Sequence, residues 1–147
     1  MEFEDSASKI IIAGLLGGFI GNAILGVLFT NPISYSILYN PDIQSELFIE
    51  ITPQRDVPLS VVGLVLLSVI HSILYSLFRP SIPGDTWFKK GIFWGITIWA
   101  MYWLFQEWFI YNTLLKEPVI LNIFELILLL IGSIAEGIVI ARILRTK

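Results

Sequence analysis

The stretch "NIFELILLLIGSIAEGIVIARIL", Asn122 to Leu144, decides the fold of this chain. It is apolar enough to lie in lipid and longer than the roughly 20 residues that a helix needs to cross about 30 Å of hydrocarbon. Two glutamates, Glu125 and Glu136, nevertheless stand inside the apolar run. The stretch therefore predicts a membrane-spanning helix with intramembrane acids, which are costly in lipid and indicate a functional site by default.

The whole chain has the composition of an integral membrane protein. Of its 147 residues 56% are hydrophobic and only 14% are charged, whereas a soluble domain is about 25% charged. Without water in the bilayer core, long apolar runs must be helices. We predict an all-α fold, a single membrane domain over residues 1–147 built as a bundle of four transmembrane helices. The four apolar runs lie at about 9–29, 59–78, 90–113 and 119–143.

The basic residues predict the orientation. If the four helices alternate in direction, seven of the nine Lys and Arg residues fall on the side of both termini. Positive charge concentrates on the cytoplasmic side, so we expect a multi-pass protein of the cell (inner) membrane with both termini cytoplasmic. The acidic start "MEFEDSASK" lacks the basic region of a signal peptide, so we expect the first helix to be retained.

Composition also limits the chemistry. The absence of cysteine excludes thiol catalysis and Cys-ligated metal centres, and the net charge of −3 gives no reason to expect nucleic acid. Nucleophile elbows, HExxH motifs and phosphate loops are missing from the sequence. We expect no cofactor, no bound metal and no catalytic residue. An enzyme is the least favoured class, although a carboxylate and a histidine alone can do acid–base work.

The intramembrane acids are candidates for handling protons or a cation. Glu125 and Glu136 are eleven residues apart, which places them within roughly 20° of one direction and about 16 Å apart along a helix. Glu107, near the outer end of the third helix, lies at about the depth of Glu125, and Asn22 of the first helix is near that level. Two acids so close share a proton or bind a cation.

His71, the only histidine, extends this set. It lies near the middle of the second helix, between the depths of Glu125 and Glu136. One interpretation is a vertical series of proton carriers, from Glu107 and Glu125 through His71 to Glu136. The alternative is that Glu136 pairs with a cation near the inner interface, Glu107 reaches the outer water and His71 bonds a neighbouring helix. The candidate cations are Arg79, Lys90 and Arg142.

Four glycines lie on one stripe of the first helix. Spacings of three and four place them on a common face, and small residues let helices approach closely in lipid. Either the stripe packs this helix inside its own bundle, or it forms the seam of a dimer. The four residues are Gly14, Gly17, Gly18 and Gly21.

Two other features are less specific. Trp99 and Trp103 are one turn apart in the third helix and either line a pocket for a quinone or sterol-like lipid or simply supply bulk. In the long outer loop, residues 30–58, the stretch 42–51 has one apolar helical face and predicts a short helix on the outer surface.

Three functions are consistent with these features. The first is a small transport or conduction protein, a parallel homo-oligomer that moves protons or a cation through its carboxylates. The second is an accessory or structural subunit of a larger membrane complex, and the third is a lipid- or quinone-binding protein. In each case membrane lipids are expected neighbours.

Overall fold

The computed structural model describes residues 5–54 and 56–145, and all the regular structure in them is helical. The all-α prediction is therefore confirmed. In chain order the α-helices are α1 (Ala7–Thr30), α2 (Pro32–Leu38), α3 (Glu46–Ile51), α4 (Val57–Phe78), α5 (Trp87–Ile98) and α6 (Val119–Ile143).

Three helices of the described residues are long and apolar enough to cross a membrane: α1, α4 with the 3₁₀ turn that follows it, and α6. The remaining predicted run is helical as well, but its geometry changes along its length. After α5 it continues through two π-helical segments, Trp99–Trp103 and Gln106–Leu114. The π-helix is rare, and π-bulges within α-helices frequently lie at functional sites.

Side-chain caps explain where most of these helices begin. A Ser, Thr, Asp or Asn oxygen accepts a hydrogen bond from a backbone N–H of the first turn, which satisfies a donor that the helix itself leaves unpaired. Helix α6 begins after Pro118 without such a cap. The capping residues are Ser6 for α1, Asn31 for α2, Ser45 for α3, Asp56 for α4 and Thr86 for α5.

Helix α6 is the central element. Half of its apolar stretch is buried inside the protein, compared with 11% for α4. It packs between α1 and α5, and α1 in turn packs between α6 and α4. Helices α4 and α5 meet at one end, where the rings of Tyr75 and Trp94 contact edge to face at 5.7 Å. Farther along, a cleft lies between α4 and the first π-helical segment, over one face of α6.

The glycine stripe of α1 lies inside the protein. A Cβ added to Gly14 or Gly18 would lie within 2.6 Å of atoms of α4. One added to Gly17 or Gly21 would lie within 3.2 Å of atoms of α6, which include the Glu136 side chain at Gly21. Real Cβ atoms essentially never come within 3.0 Å, as at Gly14, Gly17 and Gly18, and 3.2 Å at Gly21 is already tight, so these glycines allow α1 to fit between its two neighbours.

The end of the bundle where Asp5 lies near Leu144, the terminal end, is closed by an apolar core and an ion-pair network. The Arg79 guanidinium donates to the Asp5 carboxylate at 2.8 Å and to the backbone carbonyl of Leu144. Asp5 also pairs with Lys9 at 2.7 Å. The core residues here are Ile10, Ala13, Tyr75, Ile82, Trp94, Ile98, Ile140, Ala141 and Leu144.

The opposite end, the loop end, is covered by α2, α3 and the turn between α5 and α6. The predicted short helix corresponds to α3, whose Phe48 is buried between Tyr39 and Tyr111, with ring centroids 5.9 Å from each. The Ser45 hydroxyl donates to the Leu115 carbonyl at 2.6 Å. The loop is thus fastened to the turn that precedes α6.

Candidate functional site

Three buried glutamates meet at the loop end and form what we call the acidic cluster. Glu107 comes from the second π-helical segment, Glu117 from the turn before α6, and Glu125 from the second turn of α6. One carboxylate oxygen of each lies within 4.8 Å of one of each of the others. All three side chains are at most 5% exposed. Acids that are this close together and this deeply buried need a proton, a cation or hydrogen-bond donors between them.

Asn122 lies among these carboxyls. Its Nδ2 donates to Glu117 Oε2 at 2.6 Å and approaches Glu107 Oε2 at 3.4 Å. Glu107 and Glu125 lie on the other side of the cluster, with carboxylate oxygens within 4.8 Å of each other.

The loop holds Glu117 in place. Gln44, itself buried, donates through Nε2 to the Glu117 carboxylate and to the Leu38 carbonyl at 3.0 Å. Asn112 Nδ2 donates to the backbone carbonyl of Glu117 at 2.7 Å. Burial raises the pKa of the Glu117 carboxyl, and the hydrogen bond from Gln44 opposes this rise. The carboxylate is therefore oriented by a fixed amide rather than by solvent.

A second acid site, the histidine pair, joins α4 to α6. His71 Nδ1 and Glu136 Oε1 are 2.8 Å apart, and both side chains are largely buried. The absence of side chains at Gly17 and Gly21 makes room for Glu136 on the α1 side. The three cations proposed as alternative partners of Glu136 make other contacts: Arg79 with Asp5, Lys90 with the Arg79 carbonyl, and Arg142 over the Trp87 ring.

A small cavity lies beside the histidine pair, among α1, α4, α6 and the first π-helical segment. Its volume is about 10 Å³, close to the room that one water needs. The Ser133 hydroxyl is buried at this cavity without a hydrogen-bond partner among the described residues. The polar lining residues are Asn22, Ser68, His71, Ser133 and Glu136, and Tyr102 and Trp103 are among the aromatic and apolar ones.

The remaining predicted site residues divide between different places. Asn22 lines the cavity of the histidine pair rather than the acidic cluster, and its amide donates to Gly18 of its own helix at 2.7 Å. Trp103 lines the same cavity. Trp99 instead donates through Nε1 to the Leu126 carbonyl at 2.9 Å, which fastens the first π-helical segment to α6.

Sequence reasoning missed Glu117 and Gln44. Glu117 lies outside the apolar runs, so it drew no attention as an intramembrane acid. It does stand in the short turn before α6, five residues before Asn122. That position indicates that it lies beyond Glu125, toward the loop end. Nothing local identifies Gln44, because it reaches the cluster only through the fold of the loop.

Neither a protein-family model, nor a curated protein, nor a solved structure matches this chain. Its function is therefore argued from the two acid sites.

Proposed function

We propose that this chain is a small transport protein of the cell membrane that carries protons or a cation across the bilayer and works as a parallel homo-oligomer. The observation that carries the proposal is the placement of two buried acid sites on one face of α6. Glu125 and Glu136 are separated by about 16 Å along the helix, roughly half of the hydrocarbon thickness.

The proposed membrane frame has four spans, α1, α4, α6 and the helical run 87–114 with its π segments. The terminal end lies in the cytoplasm, because Lys9, Arg79, Lys90 and Arg142 gather there and positive charge is retained on that side. The acidic cluster then lies near the outer surface under the loop, and the histidine pair lies deeper.

Energetics supports a functional role for these acids. A charged side chain at the centre of a membrane helix costs about 2.5–3.5 kcal/mol on insertion scales, and an apolar residue at the same position would avoid this cost. Carboxyls and imidazole bind and release protons, and carboxylates bind cations, so the two sites can receive such ions at two depths.

Movement of an ion between the two sites requires a conformational change or a second copy of the chain. Leu129, which is buried, lies between Glu125 and Glu136 on the same face of α6. An apolar side chain therefore separates the two sites along this face. We propose that neighbouring copies, or a shift of α4 at the cleft, complete the path. An accessory subunit would need another docking surface than the α1 glycines, since these already pack against α4 and α6.

The test is flux in proteoliposomes that enclose a pH-sensitive or a Ca²⁺-sensitive dye. We expect Glu125→Gln and Glu136→Gln each to abolish the flux of the wild type. Glu50→Gln, which changes an exposed acid of α3, is the matched control and should leave flux unchanged. Flux equal to the wild type in both buried-acid variants would remove the proposal.

A further inference from the structure

We propose that the acidic cluster is a binding site for a hard divalent cation of the Ca²⁺ class, with Glu107, Glu117, Glu125 and Asn122 as its ligands. The inference rests on the proposed function, since a transport path gives the ion access to this buried site. It adds the class of ion that the acidic cluster receives.

The amide of Asn122 points to a missing ligand. Asn122 is 2% exposed, and its Oδ1 is fully buried without a hydrogen-bond partner among the described residues. Buried acceptors are almost always paired. The other atom of the same amide, Nδ2, is the one that reaches Glu117 and Glu107, so the unpaired oxygen belongs to a group that stands within the cluster.

A 180° rotation of the Asn122 amide about its Cβ–Cγ bond turns the cluster into a shell of oxygen ligands. The rotation exchanges Oδ1 and Nδ2, and the oxygen then takes the place 2.6 Å from Glu117 Oε2. Two oxygens at this spacing repel each other unless a cation lies between them. The ligand oxygens of Ca²⁺ lie about 2.3–2.6 Å from the ion, so a small separation of the two side chains lets both oxygens reach it. In the ion-free site the NH2 group of Asn122 faces the carboxylates. In the ion-bound site its Oδ1 faces the ion.

The size and charge of the cluster fit this class of ion. Oxygens of the three glutamates that lie within 4.8 Å of one another can occupy one sphere of the radius that Ca²⁺ takes. All proposed ligands are carboxylate or amide oxygens, the donors that Ca²⁺, Mg²⁺ and Mn²⁺ prefer. Three carboxylates carry more negative charge than a monovalent ion balances.

Groups behind the ligands fix their positions. Gln44 holds the Glu117 carboxylate, and Asn112 holds the Glu117 backbone carbonyl. Gln44 is fixed in turn, because its Oε1 accepts from the Ser45 N–H at 2.8 Å. Hydrogen bonds of this kind to ligating carboxylates orient metal sites in general.

The experiment uses the full chain in mild detergent and Mn²⁺ as the probe, with free Mn²⁺ measured by electron paramagnetic resonance. We expect saturable binding of about one Mn²⁺ per chain and displacement by Ca²⁺. Glu117→Gln, which keeps the shape of the side chain, and Asn122→Leu should each weaken binding at least about tenfold, since even indirect contacts cost 10–100-fold in affinity. Glu50→Gln should bind as the wild type does.

The wild-type titration decides the inference even if a variant fails to fold. Absence of saturable Mn²⁺ binding by the wild type overturns it. Wild-type affinity in Glu117→Gln and Asn122→Leu proteins that keep their helical content also overturns it. Binding without flux in proteoliposomes supports the site and removes the transport function, whereas proton flux without Mn²⁺ binding removes the site and supports transport.

Discussion

The acidic cluster and the histidine pair contain glutamates of the same face of α6, but their surroundings differ. In the cluster three acids meet, and a loop amide and an asparagine supply the hydrogen bonds. In the pair a single acid meets a single histidine between two helices, beside a cavity the size of one water. The first site gathers three acids, and the second pairs one acid with one imidazole.

This difference separates two kinds of chemistry. Surplus carboxylates held by fixed amides suit the binding of a cation. A carboxyl and an imidazole in direct contact suit the transfer of a proton, because each accepts and releases one with little rearrangement. We therefore propose that the acidic cluster binds the ion and that the histidine pair transfers the proton.

The largest expected effect comes from filling the space that Glu136 occupies. Gly21→Leu places a side chain where a Cβ alone would lie 3.2 Å from Glu136 Cβ. We expect a loss of about 3 kcal/mol or more in the free energy of unfolding, since overpacking of a closed contact is costly. Thermal unfolding in detergent measures it. Gly26→Leu is the control, because nothing lies within 4 Å of its added Cβ.

A double-mutant cycle tests whether the histidine pair is a true pair. His71→Phe leaves Glu136 buried without its partner and should destabilise the protein by about 1–3 kcal/mol. Adding Glu136→Leu should recover part of that loss, because the unpaired acid is then gone. Urea unfolding of the four proteins gives the coupling energy. Purely additive effects would mean that the 2.8 Å contact contributes nothing.

Removing the amide that holds Glu117 should affect the acidic cluster and leave the histidine pair intact. Gln44→Leu should cost about 1 kcal/mol of stability and weaken Mn²⁺ binding about 10–100-fold. Proton flux in proteoliposomes at a saturating cation concentration should stay at the wild-type level, because the histidine pair is unchanged. Gln54→Leu, at an exposed position of the same loop, serves as the control. Equal Mn²⁺ affinity in both variants would contradict the role of Gln44.

The smallest effect is expected in the turn that carries Glu117. Lys116 has a φ of 58°, in the left-handed region that Asn tolerates better than Lys. Lys116→Asn should therefore raise stability, by about 0.5 kcal/mol. The midpoint of thermal unfolding in detergent checks this. A lower midpoint would show that the Lys116 side chain contributes more to the turn than its backbone geometry costs.

Much of the framework could be predicted from the sequence because lipid imposes simple rules. Apolar length predicts helices, and α1, α4 and α6 are long and apolar enough to span a bilayer. Glu107 and Glu125, which the sequence places at one depth, lie with carboxylate oxygens within 4.8 Å of each other, because antiparallel neighbours of known rise bring equal depths together.

What could not be predicted depends on contacts that cross the chain. The π-helical segments change the direction of side chains after Trp99, so the assumption of one α-helical turn between Trp99 and Trp103 does not hold. Gln44 reaches Glu117 across 73 residues of sequence. Depth alone also could not tell that Asn22 faces the cavity of the histidine pair.

The most direct test of the division between the two sites is to measure Mn²⁺ binding and proton flux on the same preparation of Glu136→Gln. We predict wild-type Mn²⁺ affinity in detergent together with loss of proton flux in proteoliposomes. Glu117→Gln, measured alongside, should lose Mn²⁺ affinity. Wild-type proton flux in Glu136→Gln, or loss of its Mn²⁺ binding in a folded protein, would contradict the assignment of proton transfer to the histidine pair and ion binding to the acidic cluster.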